Sequence, residues 1–567
     1  MSSAYEDKPW LASYAPYVPP ELPLPKMSMI DYFEESVKRH PNQSAVHYFD
    51  HSISYQELDD MAEAFAALLA EWGIGKGDRV AVYMQNNPQF LIVQYGAWKR
   101  GAIMVPLNPM FKEKELEYHL VDSGAKVLVC LESLYASVAQ EVVAKTKVAH
   151  VVTTNEADLL PDGMKESISL LNDSHKQRFA DTIDMMDVVQ QRLNMRAPHE
   201  EVTPDDVACL VYTSGTTGLP KGAMSLHKNI AFNAEVYRTW MQLGDKDCVL
   251  GVAPLFHITG MVGHIAVSSL VGIPLVLFHR FDVKEMLRLV EKWEPTFTVG
   301  SITVYIALMN HPDVEKRQLS SLKKCYSGGA PIAPSITEQF LEKFDIYIHN
   351  VYGLTESNSP AHAVPLGERA PVDLESGALS VGIPVPNCEV KVVDLSDPSK
   401  EAAKGETGEF AVRGPMIFAG YWDKPAETEK AFHDGWFLTG DVVKMDEKGW
   451  FYVVDRKKDM IIASGFKVWP RDVEDVLYKH PAVKEAAVVG VPHPYRGETV
   501  RAYVSIKEGF SITEEELIQF CKERMADYKY PREIIFLQEL PKTATGKFLR
   551  RQLRDEAREA SLNQQNA

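Results

Sequence analysis

The stretch Leu210 to Ala223 reads LVYTSGTTGLPKGA: an apolar run meets a segment of glycines and hydroxyl side chains, and a lysine follows. The first part is a strand by composition; the second has what a phosphate group needs. Gly215 and Gly218 let backbone N–H groups wrap closely round anionic oxygens, Thr213, Ser214, Thr216 and Thr217 add donors, and Lys221 adds positive charge. The spacing matches neither GxxxxGK[ST] nor GxGxxG, so the loop is not that of a P-loop protein or a dinucleotide fold. The alternative for a generic Gly-rich loop is a mobile surface turn, the less common reading. The density of Thr, Ser and Gly favours the phosphate cradle.

Working outward, the residues before this stretch alternate helical patterns (ELDDMAEAFAALLAEWG, PQFLIVQYGAWKRG, KEKELEYHLVDSG) with short apolar runs (RVAVYM, AIMVPLN, AKVLVCL). That is the pattern of parallel strands joined by crossover helices. Residues 150–204 are polar and acidic and read as a connecting or peripheral region. Beyond the stretch, FDVKEMLRLVEKWEP and TFTVGS continue the alternation into a second lobe. From Gly382 to Val454, short strands and turn residues predict a β-rich subdomain. The charged run RKKD then leads into a compact unit whose first helix is opened by Pro470. The expected fold is α/β: a large N-terminal domain (1–457) of two α/β lobes plus a β-rich subdomain, then a small mobile α+β C-terminal domain (458–567).

Composition bounds the function. A chain of 567 residues exceeds the usual domain size of about 50 to 250 residues, so several subdomains are expected. A net charge of -18 argues against sequence-independent nucleic-acid binding, which needs clustered basic residues in excess. The six cysteines form no CxxC pair, so neither a zinc site nor a disulfide framework is indicated, and a reducing, cytoplasmic setting fits. The N-terminus lacks the basic and apolar regions of an export signal. Between Asp247 and Arg280 there is no Asp, Glu, Lys or Arg, yet Gly251, Pro254, His257, Gly260, Gly263, Gly272 and Pro274 interrupt the run. It reads as strand, loop, helix and strand of a core rather than a membrane span.

Further segments stand in order around and beyond these: NVYGLTES (Asn350 to Ser357), GWFLTGD (Gly435 to Asp441) with DRKKDMIIASGFKVWPRDVE (Asp455 to Glu474), and PKTATGK (Pro541 to Lys547). Together with LVYTSGTTGLPKGA they make nearly the whole chain resemble the adenylate-forming superfamily. Its members include acyl-CoA synthetases, aryl-CoA ligases, luciferases and peptide-synthetase adenylation domains.

The resemblance implies roles. Tyr352 would stack on adenine, in a stretch that includes Asn350 and Gly353, and Thr355 would touch phosphate. Asp441 and Arg456 would hold the ribose, a carboxylate at a strand end being able to accept both hydroxyls. SGGAPI, with Gly328, Gly329 and Ala330, would contact adenine and line the acyl groove. Glu356 beside a triphosphate makes sense through a cation, since Mg²⁺ takes one or two carboxylates plus phosphate oxygens. Lys547 would bridge the substrate carboxylate and the α-phosphate. Lys458 would be the hinge, and Ser464, Gly465 and Phe466 would come to the CoA channel. His257, in PLFHITG, would be a gate near the substrate carboxylate. Without the resemblance, Glu356 and Lys547 read as solvated residues, Asp441 and Arg456 as a surface ion pair and His257 as a core histidine.

The implied activity consumes ATP with Mg²⁺, adenylates a carboxylic acid, releases pyrophosphate and passes the acyl group to CoA. A thiol pKa of about 8.5 leaves enough thiolate near neutrality that no dedicated base is required. DRKKDMI, SGFKVWPRDVEDV and PKTATGKFLRRQLRDE look most similar to bacterial medium- or long-chain fatty acyl-CoA ligases. Some long-chain members carry a tryptophan gate just after the PLFH-type segment, where Met261 stands here, so aryl acids of the coumarate type stay open. So do a non-catalytic nucleotide-binding relative and a luciferase-like oxidation. The resemblance also leaves room for a homodimer and for peripheral membrane contact.

Overall fold

The computed structural model describes residues 5–198, 200–213, 219–312, 314, 319–463, 466–493, 497–543 and 548–565. The alternation in the first half builds a seven-stranded sheet, in the order Ile183–Asp184, His150–Thr154, Val127–Leu131, Arg79–Tyr83, Ile103–Leu107, Val207–Thr213 and Lys221–Leu226. Its central strands are parallel, and every residue of Ile103–Leu107 and Val127–Leu131 is buried. Burial on both faces by crossover helices is why these strands are apolar runs rather than alternating ones. Helix Tyr55–Glu71 starts where Ser54 and Glu57 satisfy each other's backbone N–H groups in a capping box.

The second lobe is a nine-stranded sheet running from Ile383–Pro384 through His362–Ala363, Ile348–Tyr352, Lys324–Gly328, Phe297–Gly300, Val249–Leu250 and Leu275–Leu277 to Ser44–Tyr48 and His51–Ser54. The uncharged stretch is strand, loop, helix and strand within it, and no described helix is long and apolar enough to cross a membrane. Ser44–Tyr48 comes from the N-terminal end of the chain yet pairs in parallel with Leu275–Leu277, tying the two lobes together. Asn86 adds a second tie. Its amide nitrogen donates to the carbonyls of Gly251 and Ala253, and its oxygen accepts from the Leu255 N–H at 2.9 Å.

The β-rich part is an antiparallel sheet of Glu389–Val393, Gly408–Arg413, Trp436–Met445, Phe432–His433 and Phe451–Arg456. From Ile461 onward a further sheet forms: Phe466–Val468, Ile461–Ala463, Gly497–Ile506, Val483–His493 and Glu533–Phe536. Helices Pro470–Tyr478 and Glu514–Lys522 pack into one apolar cluster with it, and Arg550–Gln565 into a second through Leu553 and Ala557. One expectation needs correcting. Residues 150–204 are not merely connecting: His150–Thr154 pairs along its whole length with Val127–Leu131, and Ile183–Asp184 extends the sheet.

Candidate functional site

Several of the candidate residues gather where the nine-stranded sheet, the β-rich sheet and the end of strand Val207–Thr213 meet. Tyr352 ends strand Ile348–Tyr352, and its hydroxyl donates to Asp441 Oδ2 at 2.7 Å. Arg456 Nε stands 3.0 Å from Asp441 Oδ1. Asp441 does not end its strand, as the sequence suggested, but lies within Trp436–Met445. The pairing of that strand with Gly408–Arg413 shifts register between Ala411↔Leu438 and Glu409↔Val442, and Gly440 within the shift takes φ +73°. Such a bulge re-aims a side chain without ending the strand. On the other edge Asp441 stands directly opposite Arg456. A carboxylate fixed by a phenol and a guanidinium keeps lone pairs for a neighbouring diol. Burial and that carboxylate hold the Tyr352 hydroxyl well above its ordinary pKa, so it stays a donor; Asp441 in turn pushes the Arg456 guanidinium up.

Glu356 lies in the short turn Thr355–Ser357 that follows Tyr352. Its Oε1 accepts from the Tyr421 hydroxyl at 2.8 Å, while Oε2 has no hydrogen bond or ion pair to a described residue. No group of three or more His, Cys, Asp or Glu assembles to hold a metal among the described residues. A single oriented carboxylate nevertheless suits Mg²⁺, which completes its shell with water and phosphate oxygens. Thr213 and Lys221 are cross-strand partners flanking the Gly-rich segment. The Lys221 ammonium sits 4.3 Å from the centre of the Tyr421 ring and 3.3 Å from Glu427. The base of the segment is braced: Tyr118 donates to the Pro220 carbonyl at 2.6 Å, and Asp122 accepts from Tyr212 at 2.8 Å and pairs with Lys424. Ser214, Gly215, Thr216, Thr217 and Gly218 lie outside the described residues, as do Ser464, Gly465 and Lys547.

Gly328 and Gly353 are close-packed positions. A Cβ on Gly328 would sit 2.5 Å from the Val351 carbonyl oxygen, and one on Gly353 would sit 2.8 Å from Ser359 Cα. Their lack of a side chain is thus required by the chain's own packing; Gly329, at φ +82°, is exposed and makes the turn, with Ala330 after it. Asn350 is buried, its amide donating to the Ser380 carbonyl at 3.0 Å.

His257 is half-buried and caps the turn Ile258–Gly260, its Nδ1 accepting from the Thr259 N–H. Behind it the buried His264 accepts from the Ala253 N–H, and burial lowers its pKa to about 4, so it is neutral. Met261 is buried.

Lys458 Nζ is buried without a hydrogen-bond partner among the described residues, and burial, then the Arg456 charge, push it down to about 8. Around it Lys457 pairs with Glu409 at 2.7 Å, and Arg554 with Asp459 at 2.6 Å. Arg471 crosses back to the β-rich sheet: its N–H donates to Asp455 Oδ2 at 2.9 Å and its guanidinium to the Val453 carbonyl at 2.6 Å. Phe466 is exposed on one side and stacks on Tyr528. The sequence reading had missed Tyr421, Asn86 and the Asp122 brace. Each acts across more than 60 positions of chain, as in the 65 between Tyr421 and Glu356, so no local pattern marks them.

The profile described as "AMP-binding enzyme" matches residues 33–422, and "AMP-binding enzyme C-terminal domain" matches 472–547. A long-chain-fatty-acid–CoA ligase of Bacillus subtilis (strain 168) is 37% identical over 97% of this chain and 98% of its own length. The ligase of that name from Escherichia coli O157:H7 has the same identity and coverage. Among solved structures, the anthranilate CoA ligase AuaEII in complex with anthranoyl-AMP superposes with a TM-score of 0.82 at 27% identity, covering 95% of this chain and 99% of that one. The O-succinylbenzoate coenzyme A synthetase of Bacillus subtilis, in complex with ATP and magnesium ion, superposes with a TM-score of 0.76 at 28% identity, covering 92% and 98%. By the profile match over most of its length and these relatives, the chain belongs to the AMP-binding enzyme family.

Proposed function

We propose that this protein is an ATP-dependent acyl-CoA synthetase whose substrate is a medium- or long-chain fatty acid. The observation that carries the reading is the convergence of Tyr352, Asp441 and Arg456, from strands of two sheets, beside Glu356 and Lys221. That constellation offers an aromatic face, a diol acceptor and a phosphate-side carboxylate in one place. The long-chain preference is supported by relatives of that name at 37% identity, against 27% for the anthranilate ligase.

In this reading Tyr352 flanks adenine, Asp441 accepts from the ribose hydroxyls and Arg456 holds Asp441 in place. An oxygen of the acid attacks the α-phosphorus of ATP, and the bond to the bridging oxygen of pyrophosphate breaks. Negative charge builds on both sides of the phosphorus, so the residues' work is positioning and charge compensation. Lys221 and Lys547 supply it from the protein, while Mg²⁺ held by Glu356 would neutralise phosphate charge. The sulfur of CoA then attacks the acyl carbonyl and AMP leaves. Lys458 is the proposed hinge between the steps, about which residues 458–567 turn; the Arg471 contacts to Asp455 and Val453 would have to open.

The test is pyrophosphate release from ATP and Mg²⁺ with fatty acids of graded chain length and with aryl acids, for wild type and Lys547→Ala. Release within one fatty-acid window, abolished in the variant, is expected. Release with aryl acids alone would move the substrate class, and no release with any acid would reject the synthetase.

A further inference from the structure

Tyr421 belongs to none of the motifs that pointed to function, yet it touches both sides of the proposed phosphate site. Its segment lies antiparallel beside Lys221–Leu226, joined by a single bridge between Ala223 and Tyr421: the Met224 N–H donates to the Gly420 carbonyl at 2.9 Å, Ala419 N–H to Met224 at 3.0 Å and Trp422 N–H to Gly222 at 2.8 Å. At its other end the Phe418 N–H donates to the Glu356 carbonyl at 2.8 Å. The backbone of residues 418–422 is thus pinned to the strand that leaves the Gly-rich segment and to the turn that carries Glu356. The Tyr421 N–H is held as well, by Thr428 Oγ1 at 2.9 Å. The side chain repeats the connection. It is 6% exposed, its ring packs edge-on to Phe418 at 4.9 Å, its hydroxyl donates to Glu356 Oε1, and its ring face carries the Lys221 ammonium.

We infer that Tyr421 is a positioning residue for the metal–phosphate site: its hydroxyl fixes the rotamer of Glu356, and its ring holds Lys221 on the phosphate side. This rests on the reading of Glu356 as the carboxylate for Mg²⁺. The two functions reside in different parts of one side chain and separate cleanly. The hydroxyl takes one carboxylate oxygen and leaves Oε2 for a cation, and a carboxylate so oriented binds without first losing rotamer freedom. The ring face attracts the ammonium by its quadrupole.

The experiment is Mn²⁺ binding, followed by the loss of the free-ion EPR signal, to the protein saturated with a non-hydrolysable α,β-methylene ATP analogue. Binding of the analogue without metal is measured separately. Tyr421→Phe, which keeps the ring, is expected to weaken Mn²⁺ about threefold to tenfold, the range for one hydrogen bond, with metal-free nucleotide binding and melting temperature unchanged. Tyr421→Leu is expected to weaken metal-free nucleotide binding as well, through Lys221. Glu356→Gln serves as the reference and should weaken Mn²⁺ at least as much as Tyr421→Phe. Normal Mn²⁺ affinity in Tyr421→Phe beside a loss in Glu356→Gln overturns the role of the hydroxyl and leaves the metal site standing. Normal affinity in both overturns the metal site itself. A uniform loss of metal binding, metal-free nucleotide binding and melting temperature in Tyr421→Phe would mean a structural role only, and equally overturns the inference.

Discussion

Replacing Asp441 by Asn tests the nucleotide site most sharply, because the two side chains have nearly the same shape. Asn keeps an acceptor for the Tyr352 hydroxyl, now at 2.7 Å, but removes the charge opposite Arg456 and replaces one acceptor oxygen by a donor. Breaking a fully buried pair by removing one partner costs about 3–5 kcal/mol. The Arg456 side chain is 33% exposed against 4% for Asp441, and water can take up part of its hydration, so about 1–2 kcal/mol of folding stability is the expected loss. On the ligand side, a hydrogen bond to a charged group is worth about 1.5–3 kcal/mol, and about 1.4 kcal/mol is tenfold. ATP affinity should therefore fall roughly tenfold to a hundredfold, measured by calorimetry on protein still folded by circular dichroism. Comparison with 2′-deoxy- and 3′-deoxy-ATP isolates the cause. Wild type should lose affinity for each, whereas Asp441→Asn should discriminate weakly among all three. If the variant discriminates against the deoxynucleotides as strongly as wild type, Asp441 does not hold the ribose.

Gly382→Ala should cost about 3 kcal/mol or more in a denaturant titration, because its Cβ would lie 2.2 Å from the Ala363 carbonyl carbon at a φ of +96°. Burial raises the Asp455 carboxyl to about 7, so the stability it contributes is full below its unfolded value of about 3.9 and is lost as pH rises through about 7. Asp455→Asn should flatten that part of the stability profile. It should also lower the plateau, since an amide nitrogen then faces one of the Arg456 and Arg471 N–H donors. Lys458→Met removes a buried ammonium that has no hydrogen-bond partner among the described residues, and should raise stability by on the order of 1 kcal/mol while slowing thioester formation more than adenylation. Unchanged melting together with equal loss of both steps would contradict it. Asn86→Ala should release the 251–255 loop that leads to His257, raising KM for the acid before KM for ATP.

Much of the fold was legible because its strands are buried on both faces and therefore appear as uninterrupted apolar runs; Arg79–Tyr83 and Val127–Leu131 are examples. His150–Thr154 escaped because its run, HVVTT, has only two aliphatic residues and is followed by a long polar stretch. The hairpin Ser44–Tyr48 and His51–Ser54 escaped for another reason: its partner, Leu275–Leu277, is more than 200 positions away. At the site, the residues of the NVYGLTES, GWFLTGD and DRKKD segments were visible because each segment is local. The bulge that turns Asp441 toward Arg456 depends on the register with Gly408–Arg413, which no single segment contains. Tyr421 and Asn86 are of the same kind: their partners are chosen by tertiary packing. Gly328 was expected beside adenine; within the chain itself, its missing side chain makes room for the Val351 carbonyl.

In the proposed reaction an acyl-adenylate forms first and CoA then takes its acyl group. The most direct test mixes the protein with ATP, Mg²⁺ and hexadecanoate without CoA, quenches within one turnover, and assays for acyl-AMP by mass spectrometry before and after a CoA chase. Acyl-AMP near the enzyme concentration is expected, with pyrophosphate in equal amount, converting to acyl-CoA and AMP on the chase. Formation of ADP and phosphate in its place, or acyl-CoA without any acyl-AMP preceding it, would rule out the two-step adenylate route.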